Sequence, residues 1–383
     1  MLTKNINLKK FRIKKKNLIK KKFLNFVLNE KNHVIYSLSR SYKDSFNKKN
    51  IKHLNKKLDY RIIGMGGSTL GAQAIYDFLK KKIKKNFKFV YNLNIYKNKK
   101  SKINFNNLII SKSGNTIETI ANANILIKKN DKNIFITENK INHLYLLAEK
   151  LKAKIIHHNN FIGGRYSVLS EVGMLPAELM GLSANNFRNY NNLIKNKYFL
   201  NNLVSNVCST LYLVKKKKFN SIIINYDEKS NNLFNWYQQL IAESLGKKSK
   251  GILPVVSSMP KDNHSVMQLF LDGFKNNFFT IFYVKENKSF KINNQKILSS
   301  HPYLKNKNLD QIIYAQKKAT ENVFKKQNIP FRSFEVRKRD EKTLGSLFTF
   351  FILETILLGN ALNLNPYDQP AVELIKKETK KLL

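Results

Sequence analysis

Residues 108–120 read LIISKSGNTIETI: a short apolar run, then a cluster of small hydroxyl, amide and glycine residues, then a helix-like pattern. A plain strand-to-helix turn needs one capping side chain, whose oxygen takes up an orphan N–H of the first helical turn. Here Ser111, Ser113, Asn115 and Thr116 fall within six positions, with Lys112 and Gly114 between them. The hydroxyls can donate hydrogen bonds, and a helix beginning near Thr116 adds its own backbone donors. Lys112 supplies a charge or a main-chain N–H. The cluster fits a group with three acceptor oxygens, such as a monophosphate, better than it fits a cap.

Working outward, short apolar runs recur: RIIGMG, FKFVYNLNIY, NLIISK, NIFIT and KIIHH, with helix-like stretches at 69–82, 116–129 and 142–150. Strand–helix alternation predicts a parallel sheet covered on both faces by helices. After a lysine- and asparagine-rich connection (186–205) the alternation resumes: SIIINY, a helix over 232–246, LPVVSS, a helix over 264–273 and NFFTIFYV. The fold class is therefore α/β, with two successive units over 58–185 and 206–360. Residues 1–57 are lysine-rich and helix-compatible and are expected to form an N-terminal helical arm. Residues 361–383 are expected to form a C-terminal one, its helix opened by Pro370, a favoured first-turn residue.

Composition narrows the function classes. The 383 residues suffice for two cores, and 42% hydrophobic content is that of a globular protein. The single cysteine, Cys208, allows no intrachain disulfide and fits a reducing, cytoplasmic setting. The most apolar stretch, FTFFILETILLG at 348–359, contains Glu354, which argues against a membrane span. The lysine-rich N-terminus has no continuous apolar stretch, so no secretory leader is expected. The net charge of +45 invites a nucleic-acid reading. The lysines are spread over the whole chain among Asn, Ile and Phe, however, which argues against nucleic acid as the main partner. The charge still draws small anions toward any cleft.

Further segments offer chemistry. IIGMGGSTLGAQAI (62–75) places Gly64, Gly66 and Gly67 after a strand and before a helix that Ser68 opens, an arrangement that lets backbone N–H groups approach an anion. In FIGGRYSVLSEVGMLPAELMG (161–181), Arg165 follows two glycines, so a permanently charged planar cation can lie close to a ligand. In NWYQQLIAESLGKK (235–248), Gln239 and Glu243 share one helix face, and a carboxylate flanked by apolar residues can abstract a proton from carbon. Taken alone, each also has an ordinary structural reading, and Glu243 could be a solvated helix glutamate. His264, in PKDNHSVMQL, could shuttle a proton. In QPAVELIKKETKK, Gln369, Glu373 and Lys376 fall at offsets of four and three, the spacing of an exposed helix with an ion pair.

In this order the stretches GMGGSTLG, SKSGNTIETI, GGRYSVLSEVGMLPA, WYQQLIAESLGK, DNHSVMQL and DQPAVELIK closely resemble the glucose-6-phosphate isomerase family, across residues 64–376. The resemblance implies two SIS-type (flavodoxin-like) domains and reversible exchange of glucose 6-phosphate and fructose 6-phosphate, with no cofactor and no metal. It implies Glu243 as the base moving a proton between C2 and C1, and Arg165 as the stabiliser of the cis-enediolate. His264 and Lys376 would serve ring opening, the histidine reaching the site of a neighbouring subunit, so a homodimer with a shared active site is implied. Ser111, Lys112, Ser113 and Thr116 match the phosphate-holding loop, and Gly67, Ser68, Gln239 and Gln369 match sugar-contacting positions. Two alternatives stay open: a bifunctional phosphoglucose/phosphomannose isomerase, and a non-catalytic SIS-type sugar-phosphate sensor.

Overall fold

The computed structural model describes residues 1–13, 20–29, 31–47, 51, 59–93, 105–128 and 131–383. Parts of the expected N-terminal arm (14–19, 30, 48–50 and 52–57), and positions 94–96 and 129 of the expected strand and helix, lie outside them.

Among the described residues, ten strands make two sheets. The first has the order β3-β2-β4-β5-β6, all parallel, from β2 (Asp59–Gly64), β3 (Asn86–Val90), β4 (Asn106–Ile110), β5 (Lys132–Glu138) and β6 (Lys154–His158). Counted from its own first strand this is 2-1-3-4-5, the flavodoxin-like order, whose switch point lies between β2 and β4. Gly64 pairs with Ile110 across that gap, so the GMGGS and SKSGNT loops leave adjacent strand ends. Both strands are almost wholly buried, as expected of parallel strands covered on two faces.

The second sheet has the order β1-β10-β9-β7-β8, from β1 (Ile6–Lys9), β7 (Asn220–Asn225), β8 (Leu253–Ser258), β9 (Asn277–Val284) and β10 (Phe331–Val336). Its four parallel strands repeat the first order. The fifth place, at the edge, is taken by β1, antiparallel to β10 with Ile6 opposite Val336 and Lys9 opposite Ser333. Residues 1–57 are thus not purely helical. Ile6 and Leu8 are buried while Asn7 and Lys9 are not, a two-residue period too short to stand out among lysines. Lys9 reaches Glu321 at 2.7 Å and Lys317 lies fully buried between Glu321 and Glu335, so opposite charges tie the strand to the helix Leu309–Lys326. The neighbouring ammonium groups hold the Glu321 carboxyl down at about 2 despite its burial.

The two sheets share one continuous core, joined through the helices packed on them. Tyr60 and Ile62 of β2 and Ile223 and Phe282 of the second sheet join the same apolar cluster as Trp236 and Phe351. Alternate side chains build separate cores on the outer faces, around Phe135 and Leu144 and around Phe279 and Phe324. The expected connection is helical: Tyr190–Lys195 leads to Lys197–Lys215, where Asn196 caps two N–H groups and Phe199, Leu203 and Val207 are buried. The helix Glu341–Ala361 is long and apolar enough to cross a membrane by composition alone, but protein surrounds it and Glu354 pairs inside with Arg332.

Candidate active site

The helix Gly67–Phe78 follows β2 and packs against the helix Asn231–Leu245, which joins β7 to β8. Two glycine turns meet where they cross. Gly66 has φ +51°, and a Cβ there would lie 2.9 Å from Nε2 of Gln239; a Cβ on Gly67 would lie 2.2 Å from the carbonyl carbon of Gly164. Only glycine permits this approach, which brings the GMGGS turn onto the backbone that carries Arg165.

Arg165 is buried, and all five of its N–H donors are engaged. Nε donates to Ser244 Oγ at 2.7 Å; Nη1 donates to Gln369 Oε1 at 2.7 Å and Glu243 Oε2 at 3.3 Å. Nη2 donates to the carbonyls of Pro366 at 2.7 Å and Asp368 at 3.0 Å. Trp236 Nε1 holds the Arg165 carbonyl at 3.0 Å, and Tyr166 OH bonds both Ser244 and Pro366 O at 2.9 Å. A guanidinium fixed this way keeps both its charge and its direction. Glu243 is bracketed by this cation and by Gln239, whose Nε2 donates to Oε1 at 2.9 Å, while 30% of its side chain stays exposed. The carboxylate is oriented from behind and open in front.

The second half of the site lies one strand over. Ser111 Oγ and Thr116 Oγ1 are 2.9 Å apart. Thr116 is the N-cap of the helix Ile117–Leu126 but makes no side-chain capping bond, so the first-turn N–H groups point outward unclaimed by it. Ser113 is exposed, its Oγ accepting from Asn115 N at 3.3 Å. Of the two contributions open to Lys112, a charge or a main-chain N–H, its geometry favours the second. Its Nζ turns away to the carbonyl of Asn160 at 2.6 Å, and burial pulls its pKa down, which leaves the main chain as its contribution.

The family model for phosphoglucose isomerase matches residues 40–383. The chain belongs to the phosphoglucose isomerase family. It is 33% identical over 350 residues to a glucose-6-phosphate isomerase of Methanocaldococcus jannaschii, covering 85% of this chain and 84% of that protein. It is also 33% identical over 355 residues to one of Mycoplasmopsis pulmonis, at 84% and 82% coverage. A solved hypothetical protein of Thermus thermophilus matches with TM-score 0.82 at 22% identity, over 95% of this chain and 94% of that one. A glucose-6-phosphate isomerase of Chlamydia trachomatis matches with TM-score 0.75 at 15% identity, over 99% and 88%. At those identities the two structures speak for the fold.

Arg165, Gln239, Glu243 and Gln369 meet within this family member's single chain, with Gly67 packed on the Gly164–Arg165 backbone and Ser68 following it in the first turn of its helix. Two expected residues do not join them. His264 ends the exposed turn Lys261–His264 and makes no hydrogen bond within the chain among the described residues. The helix bearing Glu243 runs down to the start of β8, and the six residues of β8 carry the chain about 20 Å back to the opposite end of the sheet. Lys376 is exposed on the helix Val372–Leu382, none of whose residues is buried, and pairs with Glu373 at 2.6 Å.

Ser244, Tyr166 and Lys247 were not singled out from sequence. Lys247 bonds the Asn365 carbonyl and, at 2.5 Å, the Asp368 carboxylate, whose pKa its ammonium lowers. It therefore pins the strap 365–369 that delivers two carbonyls and Gln369 to Arg165. Lys247→Met is expected to speed amide hydrogen exchange across Tyr367–Gln369 by at least about tenfold while the rest of the chain exchanges as before. Unchanged exchange there would show that the strap is held without Lys247, by partners such as Arg165, Tyr166 and Asn32, which donates to the Tyr367 hydroxyl at 2.6 Å.

Proposed function

We propose that the chain interconverts glucose 6-phosphate and fructose 6-phosphate through a cis-enediolate, with Glu243 as the single base. The observation that carries this is a half-open carboxylate held by Gln239 on one oxygen and by Arg165 on the other. Aldose–ketose exchange needs one base serving two adjacent carbons, and a fixed cation where the oxygen becomes negative. Arg165 supplies the cation without reorganising, because its partners already hold it. The Ser111–Thr116 loop would take the phosphate at the carboxyl end of β4, and that remote binding energy positions the open chain. Gly67, Ser68 and Gln369 would contact the sugar.

His264 and Lys376 would serve ring opening. Because His264 lies a strand's length from Glu243 of its own chain, a second copy is the natural donor, and a homodimer with shared sites belongs to the proposal. A cytosolic location belongs to it too, supported by the lone buried thiol of Cys208. Mannose 6-phosphate is not favoured as a second substrate.

The test is fructose 6-phosphate turnover in deuterium oxide. Glucose 6-phosphate carrying some solvent deuterium at C2 is expected, since a carboxylate that holds the proton between carbons exchanges part of it. Product wholly free of solvent deuterium, or no product, would overturn the one-base route.

A further inference from the structure

The second sheet repeats the strand order of the first, so it has a crevice of its own at the carboxyl ends of its strands, where β7 and β9 part. That crevice is plugged. Arg339 sets Nη2 and Nη1 on the Asp227 carboxylate at 2.5 and 3.0 Å and Nε on Glu286 at 2.9 Å, and Lys229 joins Glu286 at 2.9 Å. Beside the plug, over the ends of β9 and β10, a cleft of about 250 Å³ remains.

The walls of this cleft carry more positive charge than their acids balance. Lys81 pairs with Glu286 at 2.6 Å, Lys82 with Glu341 at 2.6 Å and Lys338 with Asp340 at 3.3 Å. Lys285, Lys288 and Arg337 line the same cavity, are exposed, and make no ion pair among the described residues, while Glu286, the one acid in the lining, is already held by Lys81, Lys229 and Arg339. Most of the described lysines stand on open surface, where physiological salt screens a charge beyond about 8 Å. Cations converging on a concave wall reinforce one another instead.

We propose that this cleft binds a phosphoanhydride chain, an anion of three or more negative charges such as tripolyphosphate or the phosphates of a nucleoside triphosphate. A monophosphate dianion would leave one of the three unopposed cations unmatched. The place is also connected to the active site. The helix Gly67–Phe78 begins at the Arg165 turn and ends in this wall at Phe78, and Ser230, bonded to Asp227 in the plug, opens the helix that carries Gln239 and Glu243. The ligand would sit at the far ends of both helices that build the catalytic cleft.

The test is isothermal titration calorimetry in 0.15 M salt, with fructose 6-phosphate saturating the catalytic cleft. Tripolyphosphate and magnesium-free ATP are titrated in separate arms. Wild type is expected to show one saturable site per chain. K285Q/K288Q/R337Q should weaken it by at least about tenfold, since charge-assisted hydrogen bonds are lost. The control K132Q/K152Q/K154Q removes the same charge from another cleft, of about 280 Å³, at the amino ends of β5 and β6, and should leave binding unchanged. Equal affinity in the two arms assigns recognition to the anhydride chain, and tighter ATP binding adds the nucleoside; either supports the site. Equal weakening by both triple variants, or no saturable binding to wild type, overturns it.

Discussion

Glu243→Gln is expected to lower kcat by about two to four orders of magnitude, the usual worth of a positioned general base, with KM for fructose 6-phosphate little changed. The substitution is close to isosteric. The new carbonyl oxygen can accept from Arg165, and the new amide N–H can be accepted by Gln239 if that side chain rotates its own amide. The rotation is available because Gln239 Oε1 has no hydrogen-bond partner among the described residues. The fold therefore stays intact, and the thermal midpoint serves as the control. The informative readout is exchange of the C1 and C2 hydrogens with solvent, which should fall together with isomerisation. If exchange persists at the wild-type rate, the proton acceptor is another group, and the role assigned to Glu243 is wrong.

What was readable in the sequence follows from range. Strand–helix alternation is local, and the strands expected around 61–66, 107–112, 133–137, 154–158, 221–226, 253–258 and 277–284 all appear. β1 and β10 were missed for a common reason. Each is short, and their pairing joins Ile6 to Val336 across nearly the whole chain, which no window of neighbouring residues can show. The site divides in the same way. Gln239 and Glu243 share a helix face by spacing alone, and Arg165 stands out as a cation after two glycines. What holds Arg165 could not be read, because the carbonyls of Pro366 and Asp368 belong to the backbone and every residue has one. Ser244, a small residue beside Glu243, carries no signal of its own in the sequence, although its oxygen accepts from the buried guanidinium and its hydroxyl bonds that of Tyr166. The sequence leaves Lys112 open between a charge and a main-chain N–H, because the Asn160 carbonyl that attracts its Nζ comes from the end of a different strand.

The second large effect is expected from Arg165→Lys. The charge survives, so a purely electrostatic role would tolerate the change. The fork does not survive: lysine offers three donors from one atom where arginine fills five acceptors in a plane. An ammonium placed to satisfy Pro366 O and Asp368 O cannot also reach Ser244 and Gln369, and any acceptor left dry costs about 1–3 kcal/mol. The cation would shift away from the oxygen that becomes negative, and kcat should fall by about a hundred- to a thousandfold, as when one oxyanion-stabilising donor is removed. Inhibition by inorganic phosphate separates this from general damage. The Ser111–Thr116 loop rests on β4 and β5 and shares no hydrogen bond with Arg165, so the inhibition constant should stay near wild type while kcat collapses. A lysine variant with normal turnover would mean that the charge alone suffices and that the carbonyl clamp serves stability rather than catalysis.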